Sequence, residues 1–73
     1  MLVLLPLLRR GSRGSAVGTL QTQLKKLGFV LKIDQDFGEA TERAVIQFQR
    51  QHSLKVDGIV GPMTWDALAN ATK

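Results

Sequence analysis

The sequence predicts an all-α fold: a closed three-helix bundle with two short repeated turns and an extended N-terminal arm. Three observations carry that prediction. Apolar residues recur at helical spacing in three segments. Glycine-bearing turns separate those segments. A short unit also recurs within the 73 residues, and such a unit cannot bury its apolar face alone, so its copies must pack on each other.

The first helix is expected over residues 15–27, where Ala16, Val17, Leu20, Leu24 and Leu27 form one apolar stripe. Ser15 is its expected N-cap and Gly28 its expected C′ residue. Gly18 inside the helix costs about 1 kcal/mol of propensity, which implies close packing at that point. The second helix is expected over residues 39–52, with Ala40, Ala44, Val45 and Phe48 facing inward. Glu39 and Glu42 in its first turn, and Arg50 and His52 in its last, match the helix dipole. The third helix begins after Gly61 with Pro62 at N1, carries Trp65, Leu68 and Ala69 on one side, and ends near Ala71. Residues 29–33 and 54–56 are too short for a free-standing sheet and read as extended connections. Leu20, Leu24, Leu27, Val45, Phe48 and Leu68 are expected among the most buried side chains.

The repeat has two registers. At an offset of 23, Asp34, Phe37, Gly38, Thr41, Ala44 and Val45 correspond to Asp57, Val60, Gly61, Thr64, Ala67 and Leu68. At an offset of 28, A-V-x-x-L-Q at 16–21 corresponds to A-V-x-x-F-Q at 44–49.

Residues 1–8 read as the arm and residues 9–71 as the folded domain. The apolar run at 1–8 falls far short of the roughly 18 residues that cross a bilayer. Pro6 interrupts it, and Arg9 and Arg10 follow it where a secretory leader has its bases in front. It is read as an arm laid on the core, and no membrane anchor is expected.

Composition narrows the chemistry. The absence of cysteine excludes disulfides, zinc–thiolate sites and cysteine nucleophiles. A single histidine, His52, makes neither a two-histidine metal site nor, alone, a hydrolase triad. Residues 1–32 hold six bases and no acid, while residues 33–73 hold four bases and six acids, for a net charge of +4. The basic half suits an anionic partner such as a cell-wall polymer, nucleic acid or an anionic lipid surface, and equally suits a solvated surface.

Three blocks bring a family into view. L-R-R-G-S-R-G-S-A-V-G-T-L-Q-T-Q-L-K-K-L-G-F at 8–29, D-F-G-E-A-T-E-R-A-V-I-Q-F-Q at 36–49 and V-D-G-I-V-G-P-M-T-W-D-A-L at 56–68 resemble the small peptidoglycan-binding domain found beside bacterial and phage cell-wall hydrolases. The resemblance covers about residues 8 to 70. It implies a three-helix bundle, binding to peptidoglycan with no catalysis and no cofactor, a location outside the cytoplasm, and a cell-wall hydrolase as attached domain or partner. Two turns depart from the family pattern. Asp34-Gln35 stands where Asp-Gly is usual, and Ser53-Leu54 where Gly-Leu is frequent, so either a side chain occupies a left-handed position or the turn is reshaped.

The candidate ligand contacts are Arg10, Arg13, Gln21, Arg43, Gln47, Arg50 and Trp65. Guanidinium groups pair with stem-peptide carboxylates in a two-point fork. Gln21 and its repeat mate Gln49 bond either a neighbouring connection's backbone or a ligand amide. Trp65 either fills the core or stacks on a sugar face. Asp34 and Asp57 are expected to accept backbone N–H bonds in their turns, and Thr41 and Thr64 to bond their local turn backbone. A calcium loop counted from Asp34 fails, because Glu39 falls where glycine is required and Val45 where glutamate is. Glu39 and Glu42 share one helical turn, which leaves no cleft between two carboxylates for glycoside hydrolysis. The alternative reading is a small basic helical domain for nucleic acid or a protein partner. Its bases are too scattered for a groove-reading helix.

Overall fold

The computed structural model describes residues 6–73. Met1–Leu5, most of the expected arm, lie outside the described residues. Three helices form: α1 (Ser15–Lys26), α2 (Glu39–Gln51) and α3 (Pro62–Ala71). Among the described residues there is no strand, only two isolated antiparallel bridges, Leu8 with Val60 and Arg13 with Asp36. α1 packs against both other helices.

The core follows the predicted stripes. Val17, Leu20 and Leu24 of α1 meet Ala44, Val45 and Phe48 of α2 and Trp65 and Leu68 of α3 in one buried cluster. Leu8, Leu31, Phe37 and Val60, all outside the helices, complete it. Leu27 is only partly buried, and Ala40 and Ala69 are exposed, so the apolar faces are narrower at their margins than the spacing indicated. A marginal alanine, with little apolar area, loses little by facing water.

The start of α1 corrects an expectation. Its N-cap is Gly14, at φ 124, and no side-chain oxygen caps the helix. The Gly14 N–H donates to the Gln35 carbonyl at 3.0 Å, so the pairing of residues 13 and 36 draws Gly14 into a conformation open to glycine and moves Ser15 inside the helix. The C-terminus of α1 conforms. Gly28, at φ 97, donates to Lys25 O at 3.0 Å while Phe29 N–H donates to Leu24 O at 3.1 Å, which is the paired closure of a Schellman motif. α2 ends the same way through Ser53 and Leu54, which donate to Arg50 O at 3.3 Å and Gln49 O at 2.9 Å. Ser53 (φ 56) and Gln35 (φ 62) both take left-handed backbone. The two departures from the glycine pattern are therefore side chains held in glycine-type turns, not reshaped turns.

Candidate functional site

Each repeat is organised by one buried glutamine. Gln21 is 0% exposed, and its Oε1 accepts the N–H groups of Asp34 at 3.0 Å and Gln35 at 2.9 Å. Its Nε2 faces three acceptors: Asp34 Oδ1 at 2.9 Å, Asp36 O at 3.0 Å and Thr41 Oγ1 at 3.1 Å. Gln49 repeats the set. Its Oε1 accepts from Asp57 and Gly58, and its Nε2 faces Asp57 Oδ1, Ile59 O and Thr64 Oγ1. Each aspartate closes its own turn, with Asp34 Oδ1 accepting Asp36 N–H at 3.0 Å and Asp57 Oδ1 accepting Ile59 N–H at 2.9 Å.

These bonds set the acidity of both carboxyls. The Gln21 amide, then the Asp36 N–H, holds Asp34 below the ordinary value of 3.8. The Ile59 N–H leads in lowering Asp57, with desolvation opposing it and Gln49 adding to it. The threonines correct an expectation. Their hydroxyls accept from glutamines 20 and 15 residues away, so each ties one helix to another and does not bond its own turn.

The seven candidate contacts divide. Gln21 is sealed in the core with its amide fully used, and the backbone-bonding alternative takes the place of a ligand contact. Trp65 is 4% exposed, and its Nε1–H donates to Pro6 O at 2.8 Å. It packs in the core and shows no face on which a sugar could stack. Arg10 reaches Glu42 at 3.0 Å, Arg13 reaches Asp36 at 3.5 Å, and Arg43 reaches Glu39 at 3.5 Å one turn back on α2. All three pairs are solvent-exposed, where an ion pair is weak and exchangeable.

One groove gathers what remains. Arg43 and Gln47 of α2 line it with Phe29 and Val30 of the first connection, and Ala40 and Ala44 complete the lining. Val30 is 96% exposed. Arg50, one turn beyond Gln47, continues the same face of α2. The groove thus offers a guanidinium, an amide and an apolar flank along one helix. Arg10 and Arg13, on the segment before α1, do not line it. Among the described residues no group of three acidic, histidine or cysteine side chains is placed to hold a metal ion, and no helix is long and apolar enough to cross a membrane.

Sequence reasoning passed over a second groove, where Leu7, Leu54, Lys55, Ile59, Pro62 and Met63 lie together at the start of α3. The offset of 23 was the available signal for it.

A family model described as "Putative peptidoglycan binding domain" matches residues 13–68. The spore cortex-lytic enzyme of Bacillus cereus is 42% identical over 67 residues, which is 90% of this chain and 26% of that enzyme. Among solved structures, the SleB N-terminal domain superposes with a TM-score of 0.92 at 38% identity, covering 99% of this chain and all of that one. A peptidoglycan-binding protein from Clostridioides difficile, in complex with glutamine hydroxamate, gives a TM-score of 0.92 at 40% identity over 94% of this chain and 44% of its own. The chain spans about a fifth to a quarter of the first curated relatives it matches, 19% of one and 26% of another.

Proposed function

The chain belongs to the peptidoglycan-binding domain family, and from that premise we propose that it is a non-catalytic module that holds a cell-wall hydrolase, attached or partner, on its polymer outside the cytoplasm. The observation that carries the placement of its site is the α2 groove, where Arg43 and Gln47 lie with Phe29 and Val30 and Arg50 extends the same surface. Guanidinium groups suit the carboxylates of the wall's stem peptides, the amide of Gln47 suits their peptide bonds, and Val30 gives an apolar contact. Carboxylate chemistry supports the absence of catalysis: Asp34 and Asp57 are committed to their turns, and Glu39 and Glu42 share one turn of α2, each beside an arginine, so they do not face each other across a cleft. Exposed charge pairs contribute little each, so the affinity is modest and screened by salt. Tethering beside a catalytic domain raises the effective concentration of that domain at the wall.

Co-sedimentation with purified insoluble cell wall tests the reading, beside a DNA mobility-shift assay at the same salt. The wild-type chain is expected to sediment at low salt, to leave DNA unshifted, and to release no sugar or peptide. The double reversal Arg43→Glu/Arg50→Glu is expected to reduce sedimentation while leaving the helical circular dichroism unchanged. Undiminished sedimentation removes those arginines from the site, and no sedimentation of the wild type at low salt overturns wall binding itself.

A further inference from the structure

The repeat that builds the two turns also builds two surface grooves. In the first, Leu31, Lys32 and Asp34 face the start of α2 at Gly38, Glu39 and Ala40. In the second, Leu54, Lys55 and Asp57 face the start of α3 at Gly61, Pro62 and Met63. An offset of 23 carries each of these residues onto its counterpart. The backbone frame is shared, and the lining chemistry has diverged.

The first groove carries Asp34, Asp36 and Glu39 against Lys32. Its counterparts of Asp36, Glu39 and Ala40 are Ile59, Pro62 and Met63, so the second groove is apolar with a single base, Lys55. Its one acid, Asp57, has its Oδ1 bonded to Ile59 N–H and to the Gln49 amide. The first turn of α3 contains no acid, whereas that of α2 contains Glu39 and Glu42. Leu7 closes one side, its Cδ1 lying 3.5 Å from where a Cβ on Gly61 would stand. Leu7 and Met63 are 58% and 73% exposed, two of the five large apolar side chains open to water among the described residues, and they lie together at this groove.

We propose that this second groove is a subsite for a peptide end that carries a free carboxylate and small aliphatic side chains, as the stem peptides of the wall do. The inference rests on the wall-binding reading. Methyl groups fit against Leu54, Ile59 and Met63, and the carboxylate pairs with Lys55. The first groove holds more acid, Asp34, Asp36 and Glu39 beside Lys32, although Arg13 and Arg43 pair with two of them, and so it favours the same carboxylate less. A glycan is disfavoured as the occupant, because no aromatic side chain lines this groove and a sugar would find no ring to stack on.

Titration of the isotope-labelled chain with N-acetyl-D-alanyl-D-alanine and with its C-terminal amide, followed by backbone amide shifts, tests the assignment. The free acid is expected to shift residues 54–64 and to leave residues 31–38 unmoved, with the amide about two- to fivefold weaker, the scale of one exposed charge pair. The variant Pro62→Glu/Met63→Ala writes into α3 the Gly-Glu-Ala-Thr start that α2 already uses. Both positions are exposed, so the variant is expected to keep its helical circular dichroism and to lose at least about tenfold in dipeptide affinity. Equal binding by the variant, or shifts confined to residues outside 54–64, overturns the subsite. Wall co-sedimentation of the same wild-type sample separates the two readings. Sedimentation without dipeptide shifts overturns the groove alone, and absence of both overturns wall binding as well.

Discussion

Gly18 and Gln35 occupy one space: a Cβ added to Gly18 would stand 3.1 Å from Gln35 Cγ. The second repeat solves the same contact with the sizes exchanged. There Ile46 is the counterpart of Gly18 and Gly58 the counterpart of Gln35, and a Cβ on Gly58 would stand 3.6 Å from Ile46 Cγ1. A glycine in the helix thus accompanies a long side chain in the turn, or the reverse. The close packing that Gly18 implied in the sequence is the packing of a residue forced into left-handed backbone at φ 62.

A double-mutant cycle on this pair is expected to show coupling. Gly18→Ala alone sets the helix-propensity gain of about 1 kcal/mol against displacement of the Gln35 side chain. In a Gln35→Gly background the displacement is gone and the gain is realised. The expected interaction energy is at least about 0.5 kcal/mol, the range for residues in contact, read from urea unfolding of the four proteins. Additivity would show that the Gln35 side chain moves aside without cost.

Gln21→Leu and Gln49→Leu are each expected to be severely destabilising. Either change removes the partner of two backbone N–H groups and of acceptors from two other segments. A buried polar group left unpaired costs roughly 1–3 kcal/mol, and a small domain has little stability in reserve. The measurement is the urea midpoint at constant slope. An unchanged midpoint for either variant would show that water takes over the amide's role.

Acidification is expected to weaken the fold through Asp34 and Asp57. Both folded-state values lie below the ordinary 3.8, so the unfolded chain takes up protons first. Their contribution is complete above about pH 4 and is lost as pH falls through the folded-state values. Melting temperature followed from pH 7 to pH 2 should decline on that acid limb. Asp34→Asn/Asp57→Asn should flatten it. An acid limb unaltered by the double variant would assign the loss to other carboxylates.

The helices were legible because a three-and-four spacing of leucine, valine and phenylalanine has few other solutions in so short a chain. The turns were legible because aspartate and glycine recur at the offset of 23. The partners of Thr41 and Thr64 were not, since a hydroxyl in the first turn of a helix has a local bond available, and nothing in the sequence marks a glutamine 20 residues away. The engagement of Arg10 by Glu42, across 32 residues, was hidden for the same reason. Trp65 and Gln21 carried two readings each, and only packing decided between them. The groove of Lys55 and Met63 was hidden because Leu54, Lys55 and Asp57 match the first repeat and read as turn framework, while Ile59, Pro62 and Met63, which give the groove its character, are positions that do not match.

The pairing of Arg43 with Glu39 gives the last prediction. The two side chains stand at i and i+4 on α2, 3.5 Å apart and both largely in water. A wall carboxylate approaching Arg43 therefore competes with a carboxylate already in place, and Glu39 also repels it. An exposed helical pair of this kind is worth about 0.3–0.5 kcal/mol, so Glu39→Gln should tighten wall association about twofold at low salt, with little change in stability. The gain should vanish in an Arg43→Glu background and at about 1 M salt, where the screening length is about 3 Å. Wall co-sedimentation across a protein concentration series, at both salts and in both backgrounds, reads the effect. If Glu39→Gln tightens binding equally without Arg43, the gain comes from net charge alone, and Arg43 does not contact the wall.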